Sequence, residues 1–383
     1  MKVLIENGSP HLKNMGDLAM LQVAVNRIRK LYPDSIMKVV TDVSQGELDK
    51  YCPDRTYATS IKRYGNRYLD KVSQILVGYR HLFNYEVREL VEWADVVVTA
   101  GGGYFGVNAF KAHSLSMLDT LLLAKKMDKR VIILGHGFSM CSDKKFNKSL
   151  SRVLEEVDYI FLREPATSKK YLRSLATHGF SHKLIVTGDD AIELAYENRI
   201  EGIDSNTIGV NIRFSNYTSI GKEAVQIIKL LLEDIRSMNG CKVITIPISL
   251  LEEESDVIST KEIGVDDDGS NVNSPLDVIQ RVGNCKLVIT TSYHAAVFAL
   301  SQGIPVIGLA ATQYYREKFN GLIEQFGIGC RIVDLSVSSN IYRNLFSAIS
   351  DYWVFSKDDK KRLLNRAIHQ IGEGYKAYSS IGE

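Results

Sequence analysis

The stretch "KLVITTSYHAAVFALSQGIPVIGL" puts a histidine where a strand should pass into a helix. The apolar run ends at Thr291, and His294 falls in the first turn of a helix that is otherwise small and apolar. An imidazole titrates near pH ~6.5, so His294 is suited to giving and taking protons near neutrality. A structural histidine satisfied by its neighbours fits the same position. Downstream, Arg316 and Lys318 stand on a helix after "PVIGLA", where cations can meet an anion. "YIFLREPATSKKYL" ends another apolar run at Arg163 and Glu164, and Pro165 suits the first turn of the next helix. An arginine there either pairs with an internal acid or offers its fork to a carboxylate or phosphate. "TGDDAIELA" places Asp189 and Asp190 at a further strand end, with helix capping as the plainer use. In "NGSPHLKNMGDLAM", Asn14, Gly16 and Asp17 introduce a helix. Asp17 reads as its N-cap, and the free amides there, with Asn14, can contact an anion or a sugar.

"ADVVVTAGGGYFGVN" fits G-x-G-x-x-G at Gly101, Gly103 and Gly106. A dinucleotide site wants these glycines in the first strand–helix turn, with an acid at the end of the next strand. Here they follow roughly the third predicted strand, and the next one ends in "ILGHG" without an acid. The spacing favours a glycine-rich strand end that something approaches closely, or a tight turn with no ligand.

These positions need a scaffold. The chain has 383 residues, long enough for two cores, and is 45% hydrophobic and 24% charged. A net charge of +2 with no block of like charge gives no sign of a nucleic-acid partner. Five scattered cysteines without a C-x-x-C pair indicate neither zinc nor a disulfide framework, and fit a reducing, cytoplasmic setting. The chain opens directly into "KVLIENG" with no leader pattern, and no apolar run reaches the about 18 to 20 residues that span a bilayer. "KVLIENG", "MKVVT", "ADVVVTA", "RVIILGHG", "YIFLRE" and "KLIVTGDD" read as strands, alternating with helical patterns such as Asp17–Tyr32 and Ser114–Met127. Apolar throughout, several suit a parallel sheet covered on both faces. Polar Glu197–Thr207 reads as a linker, after which "TIGVNIR", "KVITIPI", "KLVITTS", "PVIGLA" and "CRIVDL" repeat the alternation. The expectation is α/β: two Rossmann-like doubly wound domains, at 1–200 and 201–338, facing each other across a cleft.

Taken in order, these motifs resemble the polysaccharide pyruvyl transferase family. "NMGDLAM" is similar to its N-x-G-D-x-A element, "ADVVVTAGGGYF" to its glycine strand, "FLREPATSKKYL" to its R-[DE]-x-x-S segment ending in Ser168. "SYHAAVFALSQGIPVIGL" is similar to its histidine signature, followed by the lysine and glycine of "KFNGL". The chain departs from the family in two places. Ser292, with Tyr293 after it, stands where many members carry an arginine, and "GHGFSM" stands where many have a Gly-Gln-Gly strand end. The resemblance implies a fold like the GT-B glycosyltransferases, with the helical tail, residues 339–383, returning to the first domain.

It also implies an activity. A pyruvyl group would move from phosphoenolpyruvate, the co-substrate, to two hydroxyls of a sugar in a bacterial surface polysaccharide or its lipid-linked precursor. The products are a cyclic ketal and phosphate. On this reading His294 is the general acid/base. Arg163 and Lys318 hold the donor's anionic groups, helped by Gly102 and Gly103, with Ser292 and Tyr293 beside them. Asp17 or Asp190 orients the acceptor, near Asn14. No metal or other cofactor is expected. The reading requires His294 and Arg163 to look at one another across one groove.

Tyr57–Arg88 interleaves Tyr57, Tyr64, Tyr68, Tyr79 and Tyr85 with basic residues. Tyr64 and Tyr68 are candidates for stacking on an acceptor sugar, and the segment for peripheral contact with a membrane face. A solvated helical pair with half-buried tyrosines is the plainer reading. Two other functions remain open: a nucleotide-sugar glycosyltransferase on the same architecture, and a non-catalytic sugar- or anion-binding relative.

Overall fold

The computed structural model describes residues 1–62, 67–76, 80–106, 111–175, 179–201, 205–213 and 220–382. Tyr64, Tyr79, Arg63 and the linker's Gly202 lie outside the described residues. The chain forms two compact units. The first comprises Met1–Leu12, Met20–Asp190 and Gly372–Glu383, and the second Lys13–Ala19 and Ala191–Ile371.

The first unit holds a parallel sheet of β1 (Lys2–Glu6), β2 (Ile36–Val40), β3 (Thr56–Thr59), β4 (Val96–Thr99), β5 (Arg130–His136), β6 (Tyr159–Leu162) and β7 (Leu184–Val186). Their order is β3-β2-β1-β4-β5-β6-β7. The runs read as strands are all present. β3 was not among them: "TYAT" is short, half polar and half exposed, and as the edge strand it needs no apolar run. The order reverses between β1 and β4, so the crevice where such sheets take ligands opens at the ends of those two strands. Gly101–Gly103 follow β4 there. They stand after the fourth strand of the chain, since β3 precedes them.

The second unit holds β8 (Thr207–Asn211), β9 (Lys242–Thr245), β10 (Leu287–Thr290), β11 (Val306–Ala310) and β12 (Cys330–Asp334), all parallel, in the order β12-β11-β10-β8-β9. Its reversal lies between β8 and β10, and His294 follows β10. Every residue of β10 and of the helix Tyr293–Ser301 is buried, because that small, apolar helix lies between the sheet and its neighbours. The segment at Lys13–Ala19 joins this unit through antiparallel bonds: the Met15 N–H donates to Ile248 O at 2.8 Å and the Leu250 N–H to Lys13 O at 2.9 Å.

The helical tail is divided. The helix Ser338–Trp353 stays with the second unit, because Ile341, Leu345, Ala348 and Ile349 complete that unit's core. Only Gly372–Glu383, the end of the helix Lys357–Ser379 and the turn after it, belongs to the first. The return expected of residues 339–383 is therefore confined to the last turns.

Candidate functional site

In the second unit, the helix beginning at Met15 is capped by Asn14, whose Oδ1 accepts the N–H groups of Gly16 (3.1 Å) and Asp17 (3.2 Å). Asp17 is therefore not the cap. It lies in the first turn, where the helix dipole favours a carboxylate. The chain here runs against His294: a Cβ on Gly16 would overlap the Cβ, Cγ and Nδ1 of that side chain. Only a glycine lets the backbone come this close to the histidine side chain. His294 is 7% exposed and meets the Tyr293 ring edge-on, with centroids 5.5 Å apart. Before it, the Ser292 N–H donates to Thr290 Oγ1 at 2.7 Å, which fixes the turn out of β10. Ser292 occupies the N-cap position without a side-chain capping bond.

A buried carboxylate organises this end of the sheet. Asp256 Oδ2 accepts the Ile248 and Ser249 N–H groups at 2.8 Å each and Asn211 Nδ2 at 2.8 Å. Arg213 grips the same carboxylate by its fork, Nε to Oδ1 at 2.9 Å and Nη2 to Oδ2 at 3.0 Å. Ser249 pairs with Asn14, and Asn211 Oδ1 accepts the Thr290 hydroxyl at 3.3 Å. Asp256 thus braces both the segment that leads into Gly16 and the turn that carries His294. The sequence reading missed Asp256 and Arg213. "TIGVNIR" held the signal, an arginine just past an apolar strand like Arg163. Of the cations after β11, Arg316 is committed to Asp334 at 3.0 Å, whereas Lys318 Nζ lies 4.0 Å from the centroid of Tyr314.

In the first unit, Arg163 leaves β6 with its N–H on His136 O at 3.2 Å. Its guanidinium fills the space that side chains on Gly103 and Gly137 would need; a Cβ on Gly137 would lie 2.5 Å from Nε. The close approach permitted by the glycine loop is thus made by Arg163 itself, which gives those glycines a role without a dinucleotide. Both alternatives for this arginine have a bearing here, for Nη1 also lies 3.5 Å from Oδ2 of the fully buried Asp189. Glu164 caps the next helix, accepting the Thr167 and Ser168 N–H groups at 2.9 Å each and the Ser168 hydroxyl. Burial pushes its carboxyl above the usual range against those bonds. Gly102 bridges to His136 and lies under the Tyr104 ring.

His136, the histidine of "GHGFSM", is completely buried among the rings of Tyr104, Phe105 and Phe138. Neither ring nitrogen has a hydrogen-bond partner among the described residues. Burial first, and the Arg163 charge second, hold its pKa well below the ordinary histidine value. It is a neutral imidazole beside a permanent cation.

Asp190 is not available to an acceptor. Its Oδ1 takes Arg27 Nη1 at 2.6 Å and its Oδ2 the Tyr378 hydroxyl at 2.7 Å, all buried. Tyr375 and Tyr378 flank the Arg27 guanidinium, each centroid at 5.1 Å, and a side chain on Gly374 would collide with it. This cluster fastens the C-terminal turns to the first unit. Tyr68 is exposed, on the helix Arg67–Leu76. Among the described residues, no group of three or more His, Cys, Asp or Glu side chains is placed to hold a metal ion.

The polysaccharide pyruvyl transferase family model matches residues 14–312. No curated protein matches the chain. Among solved structures it is similar to UDP-GlcNAc 2-epimerase from Methanocaldococcus jannaschii (16% identity over 93% of this chain and 94% of that one, TM-score 0.59). It is also similar to UDP-GlcNAc 2-epimerase from Neisseria meningitidis bound to UDP-GlcNAc (16%, 100% and 98%, TM-score 0.58). A third is a glycosyltransferase from Rickettsia africae (12%, 100% and 98%, TM-score 0.55). At such identities the likeness shows a shared GT-B-like fold of two parallel α/β sheets.

Proposed function

The chain belongs to the polysaccharide pyruvyl transferase family, and from that premise we propose that it moves a pyruvyl group from phosphoenolpyruvate to two hydroxyls of a sugar unit of a polysaccharide or its precursor. The observation that carries this reading is the seat of His294: two motifs 278 positions apart in the chain (16 and 294) meet, and the imidazole is fixed on Gly16 at the reversal of the second sheet. In the reaction one sugar hydroxyl adds to C2 of the enol as a proton enters the methylene carbon, which becomes a methyl. The second hydroxyl then attacks C2, phosphate leaves, and the remaining hydroxyl proton is released. His294 is the group suited to move these protons. Arg163 and Lys318 are the cations for the donor's carboxylate and phosphate. Asp17 and Asn14, at the helix start beside His294, serve the acceptor.

Phosphate release from phosphoenolpyruvate in the presence of candidate sugar acceptors tests the reading. Thermal protection by phosphoenolpyruvate should accompany it. Protection by UDP-sugars with none by phosphoenolpyruvate would overturn it in favour of a nucleotide-sugar transferase. Protection by phosphoenolpyruvate without turnover on any acceptor would favour a non-catalytic relative.

A further inference from the structure

Two segments crowd the guanidinium of Arg163. The glycine loop carries Gly103, and the chain leaving β5 carries Gly137; a side chain on either would collide with it. The second segment is tied to two partners. The Gly137 N–H donates to Gly102 O at 2.8 Å and the Ser139 N–H to Phe105 O at 3.1 Å, both in the glycine loop. Between them, the Phe138 N–H donates instead to Ser168 Oγ at 2.8 Å. Ser168 is completely buried, and its hydroxyl donates in turn to Glu164 Oε1. Glu164 is held by the Thr167 and Ser168 N–H groups. Next to Glu164 in the chain, the Arg163 N–H donates to His136 O. The bonds form a closed circuit: Arg163 to His136, along the chain to Phe138, across Ser168 to Glu164, and back to Arg163.

We propose that Ser168, with Glu164 behind it, is a positioning residue: its hydroxyl holds Phe138, sets where the Gly137 backbone lies, and so aims the Arg163 fork at the donor's anionic group. This rests on the reading of Arg163 as a donor cation. A hydroxyl accepts one bond and gives another, and both are used here. Helix capping does not need it, because the carboxylate of Glu164 already takes the two amides and would keep them with an alanine at 168. What the hydroxyl alone supplies is the tie to Phe138. Without that tie the Phe138 N–H is a buried donor lacking its partner, and the chain must shift to satisfy it. Gly137 is the neighbouring residue, and its backbone has no side chain to keep it off the guanidinium. A bidentate fork owes its specificity to geometry, so a small shift of its floor is felt in the bond it makes.

The test is a double-mutant cycle on phosphoenolpyruvate binding by the intact chain, read by calorimetry, which needs no acceptor. Ser168→Ala should weaken binding by about tenfold, and Glu164→Gln several-fold in the same direction. In an Arg163→Lys background, where the fork is already gone, Ser168→Ala should change binding by less than about twofold. A residue that merely supports the fold would cost the same in both backgrounds. The Arg163 Nε–H resonance, assigned by its loss in Arg163→Lys, should move in Ser168→Ala, and it is read without any donor. Wild-type affinity in a folded Ser168→Ala protein, equal losses in the two backgrounds, or an unmoved resonance overturns the proposal. Where Ser168→Ala does not fold, Glu164→Gln carries the cycle and the spectrum with the same outcomes. Failure of the wild-type chain to bind phosphoenolpyruvate would overturn the transfer reading, and the resonance alone then decides whether Ser168 places Arg163.

Discussion

The backbone of Gly16 lies on the imidazole of His294, in the place where any other residue would put its side chain. This contact ties the N-terminal Asn-x-Gly-Asp element to the histidine turn within a single unit. The helix start thereby becomes part of the histidine's environment rather than a separate feature.

Replacing Gly16 by Ala should therefore act through His294. The methyl must displace the ring, so turnover should fall by about tenfold or more, with about 1–3 kcal/mol of stability lost to overpacking. Phosphate release and a denaturant titration measure the two. Wild-type turnover in a folded Gly16→Ala protein would show that the seat of the imidazole does not matter.

His294→Ala should lower turnover by about two to four orders of magnitude if the ring transfers protons. Phosphoenolpyruvate binding, read by thermal shift, should weaken far less. Equal loss of binding and turnover would make His294 a ligand for the donor instead.

Arg163→Lys keeps the charge and loses the fork. Donor affinity should drop by about one to three kcal/mol, as expected when a charge-assisted hydrogen bond is lost. Gly103→Ala, which pushes on the same guanidinium, should have an effect in the same direction. Unchanged affinity in both would leave Arg163 as the partner of Asp189 alone.

Stability should fall in acid through His136. Its folded pKa is depressed, so below pH ~6.5 the unfolded chain takes up a proton that the folded chain refuses. Stability contributed this way is complete above that pH and is lost at about 1.4 kcal/mol per unit as pH falls, until the folded pKa is reached. A His136→Gln protein should lack this component. Parallel pH profiles of urea midpoints for the two proteins would exclude it.

Asp190→Ala removes the buried carboxylate that Arg27 and the Tyr378 hydroxyl donate to, and should cost about 3–5 kcal/mol. Where the variant still folds, its turnover should stay near wild type. A selective loss of turnover at full stability would return Asp190 to the acceptor site.

Much of the molecule was legible before folding was considered. Apolar β-branched runs alternating with helical periods are local patterns, and they determined eleven of the twelve strands among the described residues and the tandem α/β class. The strand-end positions of His294, Arg163 and the glycine loop followed from those same patterns. β3 escaped because an edge strand can be short and half polar.

What the glycines, acids and caps do was settled only in three dimensions. Gly103 and Gly137 make room for Arg163, and Gly16 makes room for His294. Asp190, one position from Asp189 in the sequence, is claimed by residues 163 and 188 positions away. Asp256 gave no local signal at all, yet it holds two strand ends and the segment that carries Gly16. Hydrophobic periodicity is repeated over every turn of chain and survives any long-range arrangement. A polar side chain's role depends on the one partner that folding brings within about 3 Å, and that partner is chosen by the packing of distant elements.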